Sequence, residues 1–184
     1  MKKTLLSLSF VLVSVIAFSQ AKVEIGLKAG ANFANTDIDG AESITAFHGG
    51  AYGLIKITKI GIQPELLWSK QGNSFSGGGE YNLNYVNIPV MLKLYLVGGL
   101  NLQAGPQFGI LMNAEDEDGD DIKEDLKNSD LSAALGAGWD APFGLNFTAR
   151  YVLGLSDIND DGGDSIKNST FQLSVGYRLF KLGK

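Results

Sequence analysis

The side chains that could carry out catalysis are few. The chain has one histidine, His48, and no cysteine. A hydrolase with a serine nucleophile needs a histidine base that is oriented by a carboxylate. The sequence around this histidine, Phe47-His48-Gly49, contains no such combination. We therefore expect His48 to be a strand or loop-edge residue and the protein to have no enzymatic activity.

A second group of residues has the spacing of a cation-binding loop. The segment from Asp157 to Gly162 reads D-x-N-x-D-G, which matches the first half of an EF-hand calcium loop. The bidentate glutamate of that loop is replaced by Asn168, so a true EF-hand is excluded. A weak divalent-ion site is the alternative that remains, and no resident metal or other cofactor is expected. The candidate ligands are Asp157, Asn159, Asp161 and Asp164.

A third group of charged residues lies inside segments that otherwise alternate between apolar and polar side chains. Its members are Lys28, Glu65, Lys93, Arg150 and Arg178. Successive side chains of a strand point to opposite faces, and these five fall on the face opposite the apolar residues. Because unpaired buried charges are costly, Glu65, the one acid among four bases, should be the centre of a salt-bridge network. The alternative is a set of solvated, unpaired side chains in a narrow water column.

Composition limits the class of protein that positions these residues. The 184 residues include 15 basic and 20 acidic side chains, a net charge of −5. Nucleic-acid binding needs a basic face, so we expect no nucleic-acid partner. The absence of cysteine excludes a disulfide framework and cysteine-based zinc sites. The length suggests one domain.

The N-terminal segment has the layout of a secretory signal peptide. A basic start, Met1-Lys2-Lys3, precedes an apolar run from Leu5 to Phe18. The small residues Ala17 and Ser19 predict cleavage before Gln20. An N-terminal anchor helix is the alternative, but the run is short for a span of about 20 residues. We predict a signal peptide over 1–19 and an exported domain over 20–184.

The mature chain alternates with a period of two residues and shows no sustained helical period. The clearest case is Phe171 to Leu179, where five apolar side chains share one face. Eight strands are predicted, of which the second alternates least clearly. The predicted strands are 23–33, 46–57, 60–70, 81–96, 100–112, 130–140, 144–156 and 169–180.

The connections between these strands alternate between long and short. The short ones are Thr58-Lys59, Val97-Gly98-Gly99 and Ala141-Pro142-Phe143. Transmembrane barrels have short periplasmic turns and longer outer loops. Most of the 20 acidic residues fall in the long connections, which we interpret as solvated loops. The long connections lie near 34–45, 71–80, 113–129 and 157–168.

Two kinds of eight-stranded barrel have this length, and they differ in which face is apolar. A lipocalin-like binder has its apolar face inside, whereas a membrane barrel has it outside. Here the polar face is rich in glycine, which leaves room for long polar side chains within a narrow barrel. The apolar face carries Trp68 and Trp139, near opposite ends of the barrel, as in the aromatic girdles of membrane barrels. The pattern therefore favours a transmembrane barrel.

Two central strands support this interpretation through a family resemblance. The segment Gly61 to Gly72 resembles the "QPELLYSxKG" strand of the outer-membrane β-barrel family that includes PorT and is typical of Bacteroidota. The segment Tyr85 to Lys93 is similar to its "YLxIPLLLK" strand. The resemblance implies an outer-membrane barrel and no single activity. PorT itself is linked to protein secretion.

We therefore predict an all-β protein, an eight-stranded antiparallel up-and-down transmembrane barrel of about the size of the OmpA or OmpX membrane domains. It should reach the cell outer membrane after export through the inner membrane, with a structural or surface-interaction role. Expected partners are outer-membrane lipid, lipopolysaccharide and, during biogenesis, the barrel assembly machinery; the barrel itself should be a monomer. The alternatives are an accessory component of a secretion or transport assembly and a lipocalin-like binder. Charged side chains should plug the lumen.

Overall fold

A computed structural model describes residues 21–35, 45–74, 80–115, 129–155 and 169–183. These residues form a closed barrel of eight antiparallel strands, in which each strand pairs with the next and β8 pairs with β1. The prediction of an eight-stranded all-β barrel is confirmed. The strands are β1 (Ala21–Asn35), β2 (Thr45–Ile57), β3 (Ile60–Ser74), β4 (Glu80–Tyr95), β5 (Leu100–Glu115), β6 (Ser129–Asp140), β7 (Leu145–Gly154) and β8 (Ser169–Leu182).

Six strands match or extend the predicted segments by a few residues, β4 is shifted by one residue, and β7 is shorter than the predicted 144–156; the order is as predicted. The weakly alternating second segment is a full strand that pairs with β1 from Ala21↔Ile57 to Phe33↔Thr45. None of the described residues belongs to a helix that is long and apolar enough to cross a membrane. The residues between the strands at the other end of the barrel lie outside the described ranges.

The short connections lie together at one end of the barrel, which we call the turn end. They are Thr58–Lys59, Leu96–Gly99 and Ala141–Gly144. Thr58 has a φ of 54°, and Gly98 and Gly99 have φ values of 67° and 88°. Both chain ends of the described barrel also lie here, since Val23 pairs with Leu182. The opposite end is called the loop end.

Alternation along every strand gives the barrel an apolar outer face and a polar interior. Large side chains such as Leu27, Leu66 and Leu102 are more than half exposed. Side chains between them in sequence, such as Lys28, Glu65 and Gln103, are buried. This is the reverse of a lipocalin, whose apolar face surrounds its ligand. Two small apolar clusters complete the interior, one around Tyr52, Leu54 and Tyr95 and one around Met91, Ala134 and Val152.

Candidate functional site

Glycines opposite large polar residues make room for side chains inside the barrel. Gly136 pairs across the strands with Arg150, and Gly30 pairs with His48. A Cβ atom at Gly136 would lie 2.8 Å from Arg150 Cγ, and one at Gly30 would lie 2.7 Å from the His48 ring. Only glycine permits so close an approach. The glycine-rich polar face of the sequence thus makes room for the Arg150 and His48 side chains in the interior.

A buried ionic cluster occupies the middle of the lumen. Lys28 Nζ donates to Glu65 Oε1 at 2.7 Å, and neither side chain is exposed to solvent. Arg150 binds the same carboxylate through both terminal nitrogens, at 2.8 Å to Oε2 and 2.6 Å to Oε1. Gln63 Nε2 adds a fourth donor at 2.6 Å. The Glu65 carboxylate therefore joins β1, β3 and β7 across the lumen.

Amide side chains extend this cluster toward the turn end. Gln103 Oε1 accepts hydrogen bonds from Arg150 Nε at 3.1 Å and Nη2 at 2.9 Å. Gln103 Nε2 donates to Asn101 Oδ1, and Asn101 Nδ2 donates to the carbonyl of Gly99. The chain of hydrogen bonds thus runs from the middle of the barrel to the β4–β5 turn.

Lys93 joins the cluster through an amide and also has a carboxylate of its own. Its Nζ donates to Gln63 Oε1 at 3.1 Å and to both oxygens of Asp140, at 2.9 and 2.8 Å. The Tyr95 hydroxyl donates to the same carboxylate at 2.6 Å. Asp140 is the last residue of β6, so its side chain reaches the lumen at the turn end.

Arg178 does not contact Glu65, which corrects the expectation that Glu65 is the centre of a network that includes all four bases. Its guanidinium donates to Glu24 Oε1 at 2.7 Å, and Lys22 binds the same oxygen. The physical reason is depth, because Arg178 pairs with Gly26, near the turn end, next to an irregularity in the β1–β8 register. Four bases are thus distributed over three carboxylates, Glu65, Asp140 and Glu24.

His48 belongs to a separate polar chain nearer the loop end. His48 Nδ1 lies 2.8 Å from Asn32 Oδ1, and Nε2 lies 2.8 Å from Ser174 Oγ. Asn32 Nδ2 donates to Ser69 Oγ at 2.9 Å. Because an amide oxygen only accepts, the imidazole donates from Nδ1 and accepts the Ser174 proton at Nε2. The connectivity is that of a nucleophile, a base and an orienting group, but Ser174 is only 6% exposed in a filled interior.

The two tryptophans lie on the outer face, where they were expected. Trp68 is half exposed on β3. Trp139 stacks on Phe147 with ring centroids 5.9 Å apart, packs edge-on against Phe143, and donates from Nε1 to the carbonyl of Gly98. At the loop end, Phe33 and Phe171 pair with centroids 6.4 Å apart. Aromatic side chains are thus present toward both ends of the outer face.

The predicted divalent-ion loop lies outside the described residues, as do the acidic segments of the long connections. Among the residues that the structure does describe, no group of three or more His, Cys, Asp or Glu side chains could hold a metal ion.

Three sets of interior contacts were not predicted from the sequence: those of Glu24, those of Asp140, and the contact of His48 with Ser174. Glu24 and Asp140 lie close to strand ends, where an acidic side chain is usually solvated. Their positions in the apolar–polar alternation could have identified them. Glu24 lies an even number of residues from Lys28, and Asp140 an even number from Gly136, so both fall on the polar face of their strands. The contact of His48 with Ser174 had no such signal, because it depends on the closure of β8 onto β1.

Comparison with known proteins agrees with this geometry. The family model for the outer membrane protein beta-barrel domain matches residues 18–160. No curated protein matches the chain.

Solved structures with the same fold have low sequence identity. Neisserial surface protein A (NspA) has a TM-score of 0.58 at 12% identity, over 88% of this chain and 98% of that one. Ail, the attachment invasion locus protein of Yersinia pestis, in complex with the heparin analogue sucrose octasulfate, has a TM-score of 0.53 at 15% identity, over 87% of this chain and 99% of Ail. At such identities the likeness shows the fold alone.

Proposed function

We propose that this chain, which belongs to the outer membrane protein beta-barrel domain family, is a non-enzymatic membrane protein with a closed lumen and a structural or surface-interaction role. The observation that carries the proposal is the polarity of the barrel. Apolar side chains cover its outer face, and the ionic cluster around Glu65 fills its middle. Hydrocarbon is the solvent that suits such an outer face.

The closed lumen is supported by the filling of the interior. Eight strands enclose a space that side chains can just fill. Lys28, Glu65, Lys93 and Arg150 are each at most 3% exposed, so they occupy this space and do not line a channel. Each of the three cations has a carboxylate partner inside the barrel. The protein therefore conducts no ions in its resting state.

The absence of enzymatic activity is supported by the burial of the one Ser–His pair. A serine nucleophile must be open to its substrate, whereas Ser174 and His48 are enclosed between β1, β2, β3 and β8. In this position their hydrogen bonds stabilise the barrel. Ester hydrolysis by the purified protein should therefore be no faster than that by a Ser174→Ala variant. A loss of measurable esterase activity in that variant would contradict this part of the proposal.

The surface role belongs to the long connections at the loop end, which face the cell exterior in this proposal. Their acidic composition suits contact with lipopolysaccharide through divalent ions, for which Asp157, Asn159, Asp161 and Asp164 are candidates. Ail, a protein of similar fold, was crystallised with a polyanion, sucrose octasulfate. Acidic loops should repel such a ligand, so we expect no heparin-like partner here.

The route to the membrane begins with removal of residues 1–19. The turn end then faces the periplasm, as in barrels with short periplasmic turns. The barrel assembly machinery inserts the protein, which remains a monomer. Mass spectrometry of the protein from outer membranes should find Gln20 as the first residue, and retention of Met1 would contradict cleavage.

Folding in a membrane provides the direct test of the barrel. The protein refolded into vesicles should migrate differently on a gel before and after boiling, because a closed barrel resists detergent until it is heated. It should also remain with the detergent phase in a partition experiment. Recovery of a folded, detergent-free protein from the aqueous phase would overturn the proposal.

A role as an accessory component of a secretion assembly is the second candidate, and the likeness of β3 and β4 to PorT motifs favours it. Deletion of the gene should then reduce a set of secreted surface proteins. An unchanged surface proteome would contradict this second candidate and leave the structural role as the proposed function.

A further inference from the structure

The luminal wall has a niche near the loop end, where Gly109 of β5 carries no side chain. Gly109 lies opposite Asn87 of β4 and opposite Asp130 of β6. A Cβ atom built on this glycine would lie 3.1 Å from Asn87 Oδ1 and 3.4 Å from Asp130 Cβ. The ring of Tyr85 approaches the same point to 3.7 Å. Side chains of β4 and β6 thus converge on the space that the glycine leaves open.

Gln107 borders this niche toward the middle of the barrel, and one of its oxygens has no partner. It precedes Gly109 by two residues, so both face the lumen, and it is only 5% exposed. In the described residues, two buried side-chain oxygen or nitrogen atoms form no hydrogen bond, and Gln107 Oε1 is one of them. The other, Asn84 Oδ1, belongs to an outward position of β4. Because a buried acceptor without a donor is costly, Gln107 Oε1 needs a ligand.

The side of the niche that β6 forms supplies a carboxylate and a hydroxyl. Ser132, which lies opposite Gln107 in the register, donates to Asp130 Oδ2 at 2.9 Å. Asp130 forms no ion pair with any other described residue. The one base on β4, β5 and β6 is Lys93, which lies roughly 20 Å from the niche along β4 and binds Asp140. No described cation therefore neutralises the carboxylate of the niche.

The groups around the niche are oxygen ligands of the kind that hard cations prefer. They are the carboxylate of Asp130, the amide oxygens of Asn87 and Gln107, and the hydroxyl of Ser132. Calcium takes about six to eight oxygens in flexible geometry and accepts neutral ones, whereas magnesium demands a near-ideal octahedron and gives up its waters reluctantly. A niche framed by mixed oxygens from three strands therefore suits Ca²⁺ better than Mg²⁺.

The position of the carboxylate gives an ion a way in from the loop end. Asp130 is the second residue of β6 and is partly exposed. An ion can therefore reach it without passing the ionic cluster around Glu65. One carboxylate among neutral ligands predicts weak binding, in the range of about 10⁻⁴ to 10⁻³ M that extracellular calcium modules show.

We propose that the niche at Gly109 binds one Ca²⁺ ion through Asp130, Gln107 and Asn87, with Ser132 positioning the Asp130 carboxylate. The bound ion joins β4, β5 and β6 near the loop end, on the side of the lumen that the ionic cluster does not reach. This inference goes beyond the proposed function and does not depend on which way the barrel faces, because the niche belongs to the barrel wall itself.

Binding can be measured as a gain in the stability of the barrel. The protein is refolded into phosphatidylcholine vesicles, freed of metal with EDTA and given CaCl₂ or MgCl₂ at constant ionic strength. A ligand that binds only the folded state stabilises it, so roughly 10 mM Ca²⁺ should raise the midpoint temperature of the gel shift by at least 3 °C. Mg²⁺ should give less than half of this rise. Equal rises with the two ions would overturn the proposal.

Variants of Gln107 assign the rise to the niche, because the acidic connections could also bind Ca²⁺. Gln107→Leu removes the oxygen without a partner at similar size, so it should cost no stability in EDTA and should lose most of the rise. Gln107→Glu adds a second carboxylate and should tighten binding roughly ten-fold, since affinity follows the charge of the ligands.

Gln172→Leu is the matched control for these variants. Gln172 is a buried luminal glutamine on β8, where it lies opposite Asn32 and Arg150 and away from β4, β5 and β6. Whatever this substitution does to the stability in EDTA, it should keep the rise that Ca²⁺ causes. A rise that Gln107→Leu leaves unchanged would place the ion outside the niche and overturn the inference.

Terbium luminescence locates the ion. Tb³⁺ binds to the same oxygen ligands as Ca²⁺ and emits when an aromatic ring close to it is excited, and the Tyr85 ring lies at the niche. In a Trp68→Phe, Trp139→Phe background, Tyr85→Phe should remove more than half of the emission. Tyr151→Phe, on the outer face of β7, should leave it unchanged, and excess Ca²⁺ should abolish it. Emission that does not depend on Tyr85 would contradict the niche. A barrel that shows the gel shift but no response to Ca²⁺ contradicts the calcium site alone, whereas a chain without the gel shift contradicts the proposed function as well.

Discussion

Glu65 is a buried carboxylate that two cations bind, so its contribution to the stability of the barrel depends on the whole cluster. Lys28 and Arg150 both lie within 2.8 Å of its oxygens, and all three side chains are at most 1% exposed. A buried ion pair adds little stability compared with an apolar pair, but removal of one partner leaves an uncompensated charge. We therefore expect the cluster to contribute more to the specific arrangement of β1, β3 and β7 than to the stability of the barrel.

Glu65→Gln should destabilise the barrel by about 3–5 kcal/mol. The substitution keeps the size of the side chain and leaves Lys28 and Arg150 without their counter-charge. Equilibrium unfolding by urea in lipid vesicles, followed by tryptophan fluorescence, measures the change.

Lys28→Met provides the control for this prediction. Added to Glu65→Gln, it removes one of the two unpaired cations and should restore part of the lost stability. A Glu65→Gln variant within about 0.5 kcal/mol of the wild type, the range of ordinary surface substitutions, would contradict a paired cluster.

Thr58 lies in a conformation that does not suit it. Among the described residues it is the one non-glycine with a positive φ, at 54°, and a β-branched residue is strained there. Thr58→Gly should therefore raise the free energy of unfolding by about 1 kcal/mol. The matched control is Lys59→Gly in the same turn, which removes no strain and should give no gain. Equal effects of the two substitutions would contradict the assignment of strain to Thr58.

At the scale of the strands, the packing of the barrel depends on which face each glycine occupies. Gly136 is on the inner face of β6, and a Cβ there would lie 2.3 Å from the Ala149 carbonyl oxygen. Gly49 is on the outer face of β2, where the nearest atom would be 3.8 Å away. The two positions look alike in sequence and differ in their surroundings.

Gly136→Ala should destabilise the barrel by about 1–3 kcal/mol, because β6 and β7 must move apart around Arg150. Gly49→Ala should be neutral or slightly stabilising, since alanine reduces the freedom of the unfolded chain. The temperature at the midpoint of the heat-dependent gel shift measures the stability of both variants. A larger loss for Gly49→Ala than for Gly136→Ala would reverse the assignment of the faces.

The strands were predictable because each carries its own signal. A period of two fixes which residues share a face, and the short turns mark the strand ends. Lys28, Glu65 and Arg150 could therefore be placed on one face in advance. Their hydrogen-bond partners depend on the stagger between strands, which no single segment contains. This is why the pairing of Arg178 with Glu24 emerged only from the closed barrel.

At the scale of the whole molecule, charge is distributed unevenly along the barrel axis. The acidic residues belong mainly to the connections of the loop end, whereas Lys22, Lys56, Lys59 and Lys181 lie toward the described turn end. Between them the described outer face is apolar. The sequence thus specifies two chemically different ends and an apolar belt between them, an asymmetry that fits the membrane orientation in the proposed function.

The central claim is a membrane barrel whose lumen is closed by the cluster around Glu65. Single-channel recording in planar bilayers tests it most directly, with insertion verified by the heat-dependent gel shift of the same preparation. The wild-type protein should give no steady conductance, because paired side chains fill the interior of an eight-stranded barrel. Steady conductance of the order of a nanosiemens, the behaviour of a wide water-filled porin, would contradict the account.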